Sequence, residues 1–197
     1  ASSAPTRRAG ASSSSARADV PSAYGRSKAA AEEALRGVPG IRLIVLRPHL
    51  VVGPGNRGLF ARMRRLASRA PLLPVPGASA PLQPLHVDDL ALAVFAALRD
   101  PDRFAGRALD LGDPDAVPLG RFLAMTARAA GRRTVVIPLP VAPVLAAARA
   151  AEVLHLPFPF GSENLAGLRA ASARPTAAAH AELNVRPRPL AAALADR

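Results

Sequence analysis

The sequence has no cysteine, no tryptophan, one tyrosine and a single lysine among 197 residues. Without cysteine there are no disulfides, thiolate zinc sites or thiol nucleophiles, and a reducing cytoplasmic location is the expected one. Aromatics make up 4% of a chain that is 50% hydrophobic, so its core has to be built from Ala, Leu and Val. No segment reaches the ~20 apolar residues of a membrane span. The longest uncharged apolar run, Val135 to Ala148, is interrupted by Pro138, Pro140 and Pro143. Arg7 and Arg8 are followed by serines rather than an apolar core, so no secretory signal is expected there.

Carboxylates are also scarce. Fourteen Asp and Glu face 26 Lys and Arg, for a formal charge of +12. Such a balance suits an anionic partner or, more simply, a coat of solvated arginines. The arginines are scattered and stacking aromatics are few, so a nucleic-acid partner is not expected. The densest cluster is Arg57, Arg62, Arg64, Arg65 and Arg69, assigned to one helix. It would bind a pyrophosphate or acidic substrate, or merely coat that helix.

Tyr24 and Lys28 stand four residues apart at the start of an Ala- and Glu-rich stretch. Residues 1–19 read as a low-complexity, disordered segment with four serines at 12–15. Tyr24 to Arg36 reads as a helix closed by Gly37, Pro39 and Gly40. Ile41 to Leu46 reads as a strand buried on both faces. The loop Arg47 to Gly55 leaves its C-terminal end, the edge where open α/β sheets bind ligands.

A helix over Gly58 to Ser68 and a proline-rich loop over 71–81 follow, then an extended Leu82 to Val87. Asp88 or Asp89 is expected to cap a helix over Leu90–Leu98 that ends at Asp100-Pro101. Ala108–Leu111 and Thr134–Ile137 read as strands, Leu119–Ala130 and Pro140 or Pro143 to about Leu154 as helices. Short helices broken by Pro175 and Pro187 complete the chain. The alternation argues for a parallel α/β sheet. The glycine-rich first βα unit that holds phosphates in a Rossmann fold is read as absent.

On a helix, residues four apart share a face. A lysine ammonium near a phenol favours the phenolate and lowers a pKa that is otherwise about 10. Tyrosine then becomes a usable general acid or base, and lysine keeps donors for a cofactor sugar. Arginine could not replace this lysine, because its pKa is not tunable and its planar fork is larger. Of the histidines, His86 reads as a packing residue, His49 as a loop residue able to contact substrate, and His155 and His180 as surface residues. No group has metal-ligand spacing.

Tyr24-Gly25-Arg26-Ser27-Lys28-Ala29-Ala30-Ala31-Glu32 resembles the active-site helix of the extended short-chain dehydrogenase/reductases, the NAD-dependent epimerase/dehydratase family. Leu46-Arg47-Pro48 with Gly53-Pro54-Gly55 resembles that family's "LRP…GPG" segment, and Leu85-His86-Val87-Asp88-Asp89-Leu90-Ala91 its "hVdDla" motif. Ala181-Glu182-Leu183 with Pro187-Arg188-Pro189-Leu190 resembles its C-terminal ending.

The resemblance implies a partial Rossmann-like parallel sheet with helices over residues 20–197, plus a small C-terminal substrate lobe. It implies NAD or NADP as cofactor, with Tyr24 as acid/base and Lys28 on the nicotinamide ribose. Ser13 (or its neighbour Ser12) would polarise the substrate oxygen, and the Pro48 to Val51 loop would approach the nicotinamide. His49 and Arg57 would contact a small-molecule substrate, a nucleotide sugar or a sterol-like hydroxyl or carbonyl compound. Leu50 stands where many sugar-nucleotide epimerases carry Asn, and the "RPH…GPG" wording is closer to the 3β-hydroxysteroid dehydrogenase-like branch. The chain is expected to be the C-terminal part of a family member, either an oxidoreductase or a non-catalytic binding module, with a homodimer compatible with both.

Overall fold

A computed structural model describes residues 23–57, 59–158 and 160–196. In chain order the elements are α1 (Ala23–Arg36), β1 (Val45–Pro48), β2 (Leu50–Val52), α2 (Leu59–Arg69), β3 (Leu72–Pro76), β4 (Pro81–Leu82), β5 (Pro84–His86), α3 (Val87–Arg99), α4 (Pro101–Phe104), β6 (Ala108–Leu111), β7 (Val117–Pro118), α5 (Leu119–Ala129), β8 (Val135–Leu139), α6 (Val141–Val153), α7 (Ser162–Ala170), α8 (Ala177–Leu183) and α9 (Leu190–Ala195). Three ladders are parallel: β1 with β6, β2 with β5, and β3 with β8. A short antiparallel ladder joins β4 to β7. The α/β class and the parallel pairing are those expected from the alternating pattern, and the sheet is partial.

β2 is a strand inside the segment Arg47 to Gly55 expected to be a loop, because Leu50–Val52 pairs in parallel with β5. Two further strands differ from expectation. The first begins at Val45, not Ile41, and is only half-buried along Val45 to Arg47. Among the described residues β1 pairs on one side alone, with β6, so its β-branched run is not enclosed. The second, β3, lies inside the proline-rich stretch expected to be a loop. Val135 N donates to Pro71 O at 2.9 Å and Gly77 N to Leu139 O at 3.1 Å. Odd-numbered residues of β3 therefore face β8, and the nitrogens of Pro74 and Pro76 point away from it. An edge strand tolerates proline at such positions.

The core is aliphatic and alanine-rich, as the composition requires. Leu85, Ala93, Ala97, Phe104, Leu109 and Leu111 join α3 to β1 and β6. Val52, Phe60, Phe122 and Leu194 join α2, α5 and α9. Leu73, Val75 and Leu123 place the β3–β8 ladder against α2 and α5. Leu145, Ala148 and Leu165 hold α6 on α7. Ala67, Ala93, Ala127 and Ala148 are fully buried; their small side chains let backbones approach closely where aromatics are lacking.

Candidate active site

The candidate site lies where α1 is tied to the C-terminal half of β1. Tyr24 and Lys28 fall in the first and second turns of α1, with Lys28 exposed. The Tyr24 side chain and Ser13 lie outside the described part of the molecule. Helix α1 is tied to β1 by a fork: Arg47 Nε donates to Glu32 Oε1 at 3.0 Å and Arg47 NH2 to Glu32 Oε2 at 2.5 Å. Arg36 adds a bond to Glu32 from the next turn. The Arg47 bond holds the Glu32 carboxyl below its ordinary value, against a smaller opposing effect of burial. Motif reading assigned no role to either residue. The available signal was Glu32 standing one turn beyond Lys28, with Arg47 directly before Pro48.

Past β1 the backbone is pinned at both ends of the expected cofactor loop. His49 N donates to Leu111 O at 2.9 Å, and Asn56 Nδ2 donates to Val51 O at 2.9 Å. Pro48 is exposed and Val51 half-buried. The half-buried His49 ring has its pKa lowered, chiefly by burial, with Asp110 opposing and Arg174 reinforcing the shift. It is a neutral group in this setting.

The spacing Gly-x-Gly-x-x-Gly does follow a strand once, at Gly53, Gly55 and Gly58 between β2 and α2. Its first glycine serves packing. Gly53 has φ +132°, and a Cβ there would meet Val87 Cγ1 at 2.8 Å and His86 Nε2 at 3.0 Å. Only glycine fits this approach of the loop to β5 and α3.

His86 is fully buried and its Nδ1 accepts the Asp88 N–H at 3.2 Å. It is therefore the cap of α3, in place of Asp88 or Asp89, because the helix starts at Val87. The two aspartates instead meet Arg188. Buried Asp89 accepts from Arg188 N at 2.9 Å and Nε at 3.2 Å, and Asp88 from its NH2 at 3.2 Å. Oxygens of Asp88 and Asp196 gather with His86 within 4.8 Å, but the Arg188 guanidinium already supplies the positive charge there.

His180, expected on the surface, is 4% exposed. Its Nε2 lies 2.8 Å from Gly112 O, because α8 packs against β6. Beside it, Gln83 donates to Asp113 O and Arg174 O and accepts from Arg174 N. This network fixes the turn after β6. His155 is exposed, as expected.

Arg57 precedes α2 and lies outside the helix to which it was assigned. With Asn56, Arg64, Arg65, Arg69 and Thr126 it lines a groove of about 860 Å³ between α2 and α5. His49 is not part of that lining, so the two expected substrate contacts are not brought together.

Lys28 is exposed on the helix that the Arg47–Glu32 fork ties to β1. The glycine-rich turn between β2 and α2 is engaged in packing at Gly53, so it is not offered as the pyrophosphate cradle.

The parallel strands, crossing helices and ligand edge define a Rossmann-like α/β protein. The sequence profile of the NAD dependent epimerase/dehydratase family matches residues 5–112. The chain belongs to this family. It is 32% identical over 152 residues to the mitochondrial NADH dehydrogenase [ubiquinone] 1 alpha subcomplex subunit 9 of Arabidopsis thaliana, covering 75% of this chain and 37% of that protein. It is 40% identical over 93 residues to a ceramide reductase of Caulobacter vibrioides, covering 46% of this chain and 28% of that protein. The fold is similar to a human epimerase family protein solved with NADPH, with TM-score 0.64 and 24% identity over 86% of this chain and 53% of that one. It is also similar to UDP-glucose-4-epimerase from Stenotrophomonas maltophila solved with NAD and formylated UDP-arabinopyranose, with TM-score 0.58 and 19% identity over 88% of this chain and 52% of that one. The chain thus spans between about a quarter and a half of the length of these relatives. Among the described residues no helix is long and apolar enough to cross a membrane.

Proposed function

We propose that this chain supplies the catalytic helix and substrate-side elements of an NAD(P)-dependent oxidoreductase of the extended short-chain dehydrogenase/reductase type. The observation that carries the reading is the Arg47–Glu32 fork, which clamps the helix bearing Tyr24 and Lys28 onto the strand that ends in Pro48. Glu32 lies one turn below Lys28 and two below Tyr24, about 6 and 12 Å along the axis.

In this reading residues 20–197 are the catalytic and substrate part. Tyr24 moves the proton to or from the substrate oxygen. Lys28 favours the phenolate and holds the nicotinamide ribose. Ser13 donates to the same substrate oxygen, and the Pro48–Val51 backbone borders the nicotinamide. NAD or NADP, when bound, supplies or accepts the hydride. His49, held neutral, contacts substrate as a hydrogen-bonding group rather than a charge. Arg57 would act from the groove side on an anionic part of the substrate. The similarity to a ceramide reductase favours oxidation or reduction of a hydroxyl or carbonyl on an apolar compound over sugar epimerisation.

The experiment is a pair of measurements. NADH and NADPH are titrated against the chain by fluorescence, and turnover is compared between wild type and Tyr24→Phe in a version extended to the relatives' length. Saturable cofactor binding and a fall of roughly 10²–10⁴ in turnover are expected. Unchanged turnover in Tyr24→Phe would sink the mechanism.

A second reading is favoured by the similarity to an NADH dehydrogenase [ubiquinone] subunit over three-quarters of the chain: a binding module of the same fold that performs no turnover. Cofactor binding without any turnover, insensitive to Tyr24→Phe, is its signature.

A further inference from the structure

The β3–β8 ladder has two faces of different character. Leu73, Val75 and Val136 turn inward against α2 and α5. Leu72 pairs in register with Val135, and Pro74 with Ile137, so these four side chains share the outer face. That face is apolar and open: Leu72 is 59%, Val135 60% and Ile137 41% exposed. An exposed ladder face of this kind is a contact surface in search of a partner.

One end of the face is ringed by cations. Arg69 ends α2 two residues before Pro71, and Leu66 beside it is 53% exposed. Arg128 lies in the last turn of α5, and Arg132 and Arg133 lead into Val135. The two arms are strapped together, since Thr134 Oγ1 donates to Ala67 O at 2.7 Å and also to Ala70 O. Arg132 N further bonds Ala127 O at 2.9 Å. The arginines are exposed, and among the described residues none of Arg65, Arg69, Arg128, Arg132 or Arg133 forms an ion pair. There is no Asp or Glu from residue 34 to 87, nor from 116 to 151, so no neighbour in sequence neutralises them. Arg69 and Arg128 complement helix C-termini; Arg132 and Arg133 lie past the helix and have no such role.

We propose that this tip docks the protein on an anionic lipid surface. The arginines would meet headgroup phosphates and carboxylates while Leu66, Leu72, Val135 and Ile137 enter the interfacial layer. Charge complementarity selects an anionic partner, and the interleaved aliphatic side chains select a lipid layer over a nucleic acid. The tip offers no aromatic ring on which a base could stack. The association is peripheral, and it is independent of the proposed oxidoreductase chemistry at α1.

The test is flotation of the full chain with phosphatidylcholine vesicles, with and without phosphatidylserine. Binding is expected only with phosphatidylserine. It should be lost near ~1 M salt, where the screening length falls to about 3 Å. Arg132→Gln with Arg133→Gln should weaken it about thirtyfold, the equivalent of about 1 kcal/mol per arginine. Leu72→Ser with Val135→Ser should weaken it at unchanged charge by about tenfold or more. Circular dichroism of each variant checks the fold. The arginine pair is wholly on the surface and carries the test if the ladder variant unfolds. Absence of binding to phosphatidylserine vesicles overturns the proposal, as does undiminished binding by the arginine variant. Tighter binding to a single-stranded oligonucleotide than to the vesicles overturns it too. So does self-association that the ladder variant abolishes, which would assign the face to a second copy.

Discussion

Arg47 and Glu32, fifteen residues apart in sequence, meet in a two-bond fork at 3.0 and 2.5 Å that fixes α1 on β1. Both side chains are partly shielded, at 34% and 20% exposure. A planar guanidinium satisfies both carboxylate oxygens at once, which lysine could not do. Removing either partner, by Arg47→Gln or Glu32→Gln, is expected to cost about 1–2 kcal/mol in urea denaturation. In the proposed function cofactor affinity should fall with it, since the helix bearing Tyr24 and Lys28 would no longer be held on β1. A variant with Lys at position 47 should recover little of either.

The same pair sets an acid limit. Glu32 is held below its ordinary value of 4.5, so the folded state binds its proton less readily than the unfolded chain. Its stabilisation is complete above about that value and is lost as pH falls through the lower folded one. Urea midpoints measured between neutral and strongly acid pH should drop more steeply below this point in wild type than in Glu32→Gln.

His49 gives a second pH dependence, centred nearer neutrality. Burial lowers its pKa from 6.5, so the unfolded chain takes up the proton first as pH falls. The stability that this ring contributes is present above about that value and declines as pH drops toward the folded pKa. Proton NMR should show the His49 ring titrating below 6.5. A titration midpoint at or above 6.5 would contradict the assignment.

Asp89 is 3% exposed and takes both the backbone N–H and the side chain of Arg188. Asp89→Ala should strand these donors and cost about 1–3 kcal/mol, releasing the segment before α9. Limited proteolysis near Arg188 should accelerate in parallel with the lower urea midpoint.

Gly112 has no room for a side chain. A Cβ there would meet Gln83 O at 2.7 Å and Gln83 Cβ at 2.9 Å, the first of them backbone. Gly112→Ala should therefore cost about 1–3 kcal/mol through forced displacement of β5 or the turn after β6. Gly106→Ala is a weaker comparison, strained by φ +74° but with open space around it.

Lys28→Arg tests the choice of the single lysine. It keeps the charge and helix propensity but not the compact ammonium. Thermal stability should stay within about 0.5 kcal/mol of wild type, while turnover in the extended protein falls with that of Lys28→Met.

Sequence by itself determined the alternating α/β order, the alanine-rich core, the helix with Tyr24 and Lys28 on one face, and the family motifs in order. These follow from local periodicity, capping residues and short spacings, which act within a few turns of chain. Tertiary structure decided what depends on remote partners. The strand at Leu72–Pro76 was hidden by its prolines, because proline is forbidden only where its nitrogen must donate, and that is set by where β8 lies. His86 is the α3 cap because the helix starts at Val87, and the aspartates inside its first turn meet Arg188, about a hundred residues away. His180 looked like a surface residue until α8 packed against the end of β6 and gave its ring the Gly112 carbonyl. The scattered arginines became a local field only when α2 and the loop after α5 were brought side by side. Charge and burial are sums over neighbours in space, and a sequence lists only the neighbours along the chain.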